Sequence, residues 1–143
     1  MIQVARTMLV PGPLRDTVVY LADFANTKEW DPATVSCVRL DQGPVRPGSR
    51  WRNVSRFREH TNEVLYRLDV LEGDRLVFTG ENSTVLIRDD LRFTPASDES
   101  TRLIYTATFR FKGLARLAAP FLRKDVERLA DDVAAALPRV MAR

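Results

Sequence analysis

Histidine and cysteine are almost absent from this sequence: among 143 residues each occurs once, as His60 and Cys37. A structural zinc site made of Cys and His needs about four such ligands, so one chain cannot build it. A disulfide within the chain is excluded, and a lone cysteine is more typical of a reducing cytoplasm than of a secreted scaffold. A nucleophile–histidine triad could use only His60. The available chemistry is therefore that of carboxylates, hydroxyls and amides.

Long apolar runs and blocks of like charge are also missing. No apolar stretch approaches the roughly 20 residues that a membrane-spanning helix needs. Residues 1–10 do not resemble a signal peptide, because Arg6 interrupts them and Pro11-Gly12-Pro13 follows at once. The 22 basic and 19 acidic residues are scattered along the chain, and the net charge is only +3. We therefore expect a cytoplasmic protein with no integral membrane association and no nucleic-acid partner.

What the sequence does contain is a series of strand patterns between two helical regions. Residues 2–10 are predicted as a strand, and the apolar period then changes to helical over about 13–23 and 24–29, ending at Trp30-Asp31-Pro32. The connections between the later strands are too short for parallel crossovers. A long helix over 119–140, started or kinked by Pro120, follows them. The six later strands are predicted at 34–41, 48–58, 61–71, 75–80, 83–94 and 101–112.

This order of elements predicts an α+β fold in which residues 1–143 form one domain. A single helix cannot cover both faces of a seven-stranded antiparallel sheet. We therefore expect a curved sheet that wraps around the long C-terminal helix, with the two short helices after strand 1 closing one end. Such an arrangement leaves space between sheet and helix, where small molecules bind.

Strand 48–58 shows most clearly which side of the sheet faces inward. Four arginines cannot all face a core, so the alternating set of side chains points toward it. A solvated convex face explains the arginines better than a nucleic-acid site, because no nucleic-acid-binding motif accompanies them. The inward set, which forms an amphipathic lining, is Trp51, Asn53, Ser55 and Phe57, and the outward set is Arg50, Arg52, Arg56 and Arg58.

Strand 83–94 contains one side chain that interrupts its inward apolar stripe. Asp89 lies in line with Val85, Ile87, Leu91 and Phe93. A carboxylate in such a place needs a partner, or desolvation raises its pKa. Three interpretations stay open: a local bulge or a satisfying tyrosine or arginine partner, a polar anchor or acid/base group in a pocket, or an error in the predicted register.

Other polar and aromatic residues have a structural and a functional interpretation. Tyr66 and Tyr105 lie on inward stripes, where each is either a satisfied core hydroxyl or a donor in a pocket. Trp30 is expected to pack where the short helices meet the sheet and to contribute to the pocket rim. His60 is interpreted as an exposed turn residue and Cys37 as a small core residue.

Four stretches of the sequence carry a family resemblance. They are residues 11–32 with the pattern LADF…EWDP, the GPVRPGSRW turn and strand at 43–51, LVFTGENSTV at 76–85 and YTATFRFKGLARLAAPFLRK at 105–124. Together they resemble the START/Bet v 1-like superfamily (SRPBCC), specifically its bacterial polyketide cyclase/dehydrase and lipid-transport-like group. The resemblance implies the helix-grip fold and a cavity between sheet and helix. It implies no catalytic residue, because the family has no universal catalytic motif.

Three hypotheses for function remain. The first is binding of a small hydrophobic or aromatic ligand (a lipid, polyketide or quinone-like molecule) by a monomer or homodimer without a cofactor or metal ion. The second is a cyclase/dehydratase that uses Asp89 with Tyr66 or Tyr105. The third is a protein-interaction module that uses the arginine face 50–58. The expected ligand-lining residues are Trp30, Trp51, Asn53, Ser55, Phe57, Tyr66, Asp89, Tyr105, Phe109, Phe121, Leu122, Val126 and Leu129.

Overall fold

A seven-stranded antiparallel sheet is the frame of the protein in a computed structural model that describes residues 1–143. The strands are β1 (Ile2–Pro11), β2 (Thr34–Arg39), β3 (Arg50–Phe57), β4 (His60–Glu72), β5 (Arg75–Glu81), β6 (Val85–Ser97) and β7 (Ser100–Phe111). Their order across the sheet is β1-β7-β6-β5-β4-β3-β2. The short connections predicted an antiparallel meander, and β2 to β7 form one.

The helices lie at the two positions that the apolar periodicity indicates. Between β1 and β2 the chain forms α1 (Leu14–Ala22), a 3-10 turn (Phe24–Asn26) and α2 (Thr27–Trp30). After β7 come a second 3-10 turn (Gly113–Leu117) and the long α3 (Ala119–Met141). The curved sheet and the long helix form the predicted helix-grip α+β fold. None of these helices is both long enough and apolar enough to cross a membrane.

The register of β6 places Asp89 on the inner side of the sheet. Asp89 is buried and lies opposite Phe78 on β5 and Ala107 on β7, whereas the adjacent Arg88 is exposed. The irregularity in the pairing of β6 with β7 falls only between Pro95 and Ser97, far along the strand. A local bulge therefore does not explain the inward carboxylate.

The main core lies under α1 and the first 3-10 turn. Trp51 on β3 is fully buried there, and its ring centroid lies 6.1 Å from that of Phe24 and 5.9 Å from that of Phe78. The indole Nε1–H donates to Asp23 Oδ1 at 3.2 Å. Asp23 also accepts a hydrogen bond from the backbone N–H of Ala25, so one carboxylate holds both the turn and the tryptophan.

The segment before α3 and the first turn of α3 expose large apolar side chains. Phe121, an expected lining residue, is 77% exposed, and Leu114 and Leu117 before it are 86% and 74% exposed. Gly113 has φ 54°, and the next residues form a 3-10 turn whose geometry differs from the 3.6-residue period of an α-helix. Within α3, Phe121 lies one turn before Asp125, on the side that faces away from the cavity. The next residue, Leu122, is buried and faces the cavity.

Candidate functional site

A cavity of about 390 Å³ lies between the sheet and α3. Of the 30 residues that line it, 21 are hydrophobic. This volume falls in the range of about 300–1,000 Å³ that is usual for small-molecule sites. The lining residues Arg56, Thr84 and Ala118 are exposed, so the cavity reaches the surface beside them.

The structure gathers most of the expected ligand-lining residues around this cavity. Two are corrections: Trp51 and Phe121 lie outside it. Trp51 faces inward from β3, as predicted, but it packs in the core against Phe24. Phe121 is on the outward side of α3. The expected residues that do line the cavity are Trp30, Asn53, Ser55, Phe57, Tyr66, Asp89, Tyr105, Phe109, Leu122, Val126 and Leu129.

Asp89 is the most strongly perturbed carboxyl group of the cavity. It is only 5% exposed, and burial raises its pKa to about 7, with a further increase from the nearby Asp31 carboxylate. A hydrogen bond from the Tyr105 hydroxyl acts in the opposite direction. Burial also raises the pKa of Tyr66 and of Tyr105 well above the ordinary value, so both hydroxyls stay neutral donors. Near neutral pH Asp89 can therefore either donate or accept a hydrogen bond.

The raised pKa of Asp89 predicts a specific dependence of stability on pH. The folded-state pKa of about 7 lies above the ordinary aspartate pKa of 3.8, so between these values the folded protein binds more protons than the unfolded chain. The contribution of Asp89 to the free energy of unfolding therefore falls as pH rises from about 4 to above 7, on the order of a few kcal/mol. Urea denaturation at several pH values should show that Asp89→Asn removes this decline.

Asp90 offers a matched control on the opposite face of the same strand. Its carboxylate pairs with Arg75 at 2.9 Å, and this hydrogen-bonded guanidinium lowers the pKa of Asp90. Asp90→Asn should therefore retain the decline between pH 5 and 8. A constant stability difference between the protein and Asp89→Asn across that range would contradict the assignment.

A chain of side-chain hydrogen bonds forms the polar end of the cavity wall. Asn53 Nδ2 donates to Thr27 Oγ1 at 3.3 Å and to Thr34 Oγ1 at 3.2 Å. Thr34 Oγ1 in turn donates to Asp31 Oδ2 at 3.0 Å, and Thr27 Oγ1 donates to the carbonyl of Phe24. Both amide hydrogens of Asn53 are thus used within the protein, and its side chain joins α2, β2 and β3.

Trp30 and Tyr66 contribute aromatic surface at the same end. The Trp30 ring makes edge contacts with Phe24 and with Tyr105, and its buried indole N–H has no hydrogen-bond acceptor in the protein. The Tyr66 ring lies directly over Gly80, where an added Cβ would come within 2.5 Å of the ring. Glycine at position 80 is therefore what allows Tyr66 to occupy its place.

Sequence reasoning missed three charged lining residues, one of which, Arg56, was expected on the outward face of β3 and lies at the cavity mouth. Asp31 was interpreted only as part of the helix stop before Pro32, yet it is half-buried in the cavity wall, and burial raises its pKa. Arg6 alternates to the inner side of β1, and its Nε donates to Asp131 Oδ1 on α3 at 2.8 Å. The period of β1 could have indicated Arg6, but no sequence pattern indicates its partner.

Arg50, Arg52 and Arg56 of the predicted arginine face are exposed on β3, but the assignment of Arg58 to this strand was wrong: Arg58 lies in the turn after β3, with φ 52°. Arg52 pairs with Glu63 at 3.1 Å and Arg58 with Asp125 at 3.8 Å, so part of the charge of these arginines is balanced by neighbouring carboxylates. Arg56 also lies at the cavity mouth.

Comparison with known families fits this architecture. The model of a family described as polyketide cyclase / dehydrase and lipid transport matches residues 1–142. The chain belongs to this family. A search of curated protein sequences finds no significant match.

Solved structures similar to this member of the polyketide cyclase/dehydrase and lipid-transport family share its fold. The Zhui aromatase/cyclase of Streptomyces sp. R1128 superposes with a TM-score of 0.84 at 18% identity over 99% of this chain and 93% of that chain. A START superfamily protein from Mycobacterium smegmatis gives 0.82 at 14% identity over 98% and 97%. The di-domain ARO/CYC BexL of the BE-7585A biosynthetic pathway gives 0.78 at 19% identity over 99% and 47%.

Proposed function

We propose that this protein binds a small neutral ligand, apolar or aromatic in its body and carrying at least one hydroxyl or carbonyl oxygen, in the cavity between the sheet and α3. The observation that carries the proposal is the cavity itself, whose apolar wall ends in the polar group Asp89 and Tyr105. Apolar walls supply affinity, and a few polar groups fix the orientation of the ligand.

The charges around the cavity support a neutral ligand. Asp31 and Asp89 both line it, and the inner cation Arg6 is already paired with Asp131. The other lining cation, Arg56, has no ion-pair partner but is exposed at the cavity mouth, so an anionic group inside the cavity would meet carboxylates and no unpaired cation. A ligand oxygen, in contrast, can accept from Asp89 in its protonated form and from Trp30, whose indole N–H has no acceptor.

A thermal-denaturation screen tests this proposal. The panel is 1-naphthol, the anthraquinone emodin, the quinone menadione and the neutral lipid monoolein, with palmitate as the anionic comparator. A ligand at 100 times its Kd should raise the free energy of unfolding by about 2.7 kcal/mol, since it binds only the folded state. We expect a concentration-dependent rise in Tm with neutral members and a smaller one with palmitate. A panel without any rise would contradict the proposal.

A cyclase/dehydratase activity is the second candidate, and it is favoured by one observation: a carboxyl group with a pKa of about 7 faces the cavity beside Tyr105. In dehydration, a hydroxyl leaves with a proton as water and the adjacent carbon loses a proton as the double bond forms. Protonated Asp89 would supply the first proton, and its carboxylate would remove the second. Asp89→Asn should then abolish turnover of a β-hydroxy ketone while it retains binding. Equal turnover by the variant would exclude this role.

The remaining features of the proposal follow from the sequence. We propose that residues 1–143 act as one cytoplasmic domain, as a monomer or homodimer. The exposed arginine face of β3 is then a solvated surface and not a nucleic-acid or protein interface. Charge reversal at Arg50 and Arg52, which do not line the cavity, should accordingly leave ligand binding unchanged.

A further inference from the structure

The segment Gly113–Lys124 has an unusual outer surface. Leu114, Leu117 and Phe121 are each at least 74% exposed. Residues three apart lie on the same side of a 3-10 turn, so Leu114 and Leu117 share one side, and Phe121 is exposed on the outward side of the first turn of α3. Single exposed apolar residues are ordinary on protein surfaces, but a group of three large ones marks an interaction site.

The charges of the same segment are all positive. It contains Arg116, Arg123 and Lys124 and no acidic residue. All three are exposed, and none of them forms an ion pair. Cations close to the N-terminal end of a helix such as α3 are unfavourable with respect to its dipole. The placement of these cations therefore contributes nothing to the stability of the helix.

The inner side of the segment belongs to the cavity. Ala115, Ala118 and Leu122 line it, and the exposed lining residues Arg56 and Thr84 lie at its mouth. The residues of the 3-10 turn are not buried, so few packing contacts hold this part of the wall. A partner that bound the outer side of this segment would therefore lie directly over the cavity mouth.

We infer that Gly113–Lys124 docks on the surface of an anionic lipid bilayer. Leu114, Leu117 and Phe121 would enter the boundary between headgroups and acyl chains, while Arg116, Arg123 and Lys124 bind the anionic headgroups. The combination of projecting apolar side chains and cations is that of interfacial membrane segments. The positive charge without partners specifies an anionic surface. Docking brings the cavity mouth to the bilayer, where apolar molecules are concentrated.

Vesicle flotation tests this inference without any cavity ligand. The protein should float with vesicles of phosphatidylcholine and phosphatidylglycerol, bind pure phosphatidylcholine vesicles much more weakly, and be released as the salt concentration rises. The affinity of Arg116→Gln/Arg123→Gln/Lys124→Gln should fall about a hundredfold, at about fivefold per lost cation. The affinity of Leu114→Ser/Leu117→Ser/Phe121→Ser should fall at least about tenfold through lost apolar burial.

Matched variants on other surfaces separate docking from general effects of charge and hydrophobicity. Exposed apolar residues elsewhere are replaced in Leu9→Ser/Val19→Ser/Val38→Ser. Exposed arginines elsewhere are replaced in Arg50→Gln/Arg88→Gln/Arg102→Gln, which changes the net charge equally. Both variants should bind the anionic vesicles within about threefold of the unmodified protein, since distant sites act independently.

Three results would overturn the inference. One is vesicle binding that does not depend on phosphatidylglycerol, and another is an equal loss of binding in the matched variants. The third is self-association through this segment, seen as a dimer in solution that the three serine substitutions dissociate, without vesicle binding. Thermal shifts with soluble ligands are measured without vesicles, so failure of docking remains distinguishable from failure of the proposed ligand binding.

Discussion

Ala107→Phe is expected to remove binding of the cavity ligand while the protein remains folded. Ala107 is central in β7, opposite Asp89 on one side and Val4 on the other, and all three line the cavity. A benzyl group at this position enters the space that the ligand body would occupy. The ligand then loses its contact with the apolar wall, and we expect its affinity to fall about a hundredfold or more. Calorimetric titration with the neutral compound that gives the largest thermal shift measures the loss.

The control for this variant is Ala5→Phe. Ala5 lies on the neighbouring strand β1 but is exposed on the outer face, so the same group is added without entering the cavity. The Ala5→Phe protein should bind with unchanged affinity. If Ala107→Phe does not fold, Ala107→Leu fills less of the cavity and should still lower the affinity. Full affinity in a folded Ala107→Phe protein would show that the ligand binds elsewhere.

Trp51→Ala is expected to lower the free energy of unfolding by about 3–5 kcal/mol. The indole is fully buried between Phe24 and Phe78, and its removal leaves a cavity in the main core and deletes the hydrogen bond from Nε1–H to Asp23. Chemical denaturation measures the loss. Because Trp51 does not line the ligand cavity, the protein that remains folded should bind ligand with nearly unchanged affinity.

Trp51→Phe separates the two parts of this effect. It keeps an aromatic ring against Phe24 and loses the Nε1–H bond to Asp23, so we expect a smaller loss of about 1–2 kcal/mol. A loss of ligand affinity in Trp51→Phe without a loss of stability would contradict the placement of Trp51 in the core. It would return this residue to the cavity lining that its strand position suggested.

Alternation within strands made the fold and much of the cavity predictable. The arginines of β3 fixed which side of that strand faces inward, and the stripe around Asp89 did the same for β6. Turn residues between strands excluded parallel connections, so the order of the meander followed. These signals are local. Side chains of a strand alternate between the two faces of a sheet, so once one set is apolar the pairing register of the strand is strongly restricted.

The errors concern features that local pattern does not determine. The inner face of the sheet packs partly against the core under α1 and partly lines the cavity. Alternation along β3 predicts that Trp51 faces inward, but its position along the strand determines that it lies in the core and not at the cavity. Asp31 enters the site because the chain after α2 folds back against the cavity wall through Thr34. Phe121 follows Pro120 in the first turn of α3. A new helix begins there, so the apolar spacing of the preceding segment does not determine which side of α3 Phe121 faces.

Methyl NMR of the protein titrated with the tightest-binding neutral compound of the panel shows where the ligand binds. We expect saturable shifts and ligand-to-methyl contacts at Ile87, Leu122 and Val126, which line the cavity. The methyl groups of Leu9, Val38 and Ile104, exposed on other surfaces, should not respond. Shifts restricted to these exposed residues, with Ile87 and Val126 unchanged at saturation, would show that the ligand does not bind in the cavity.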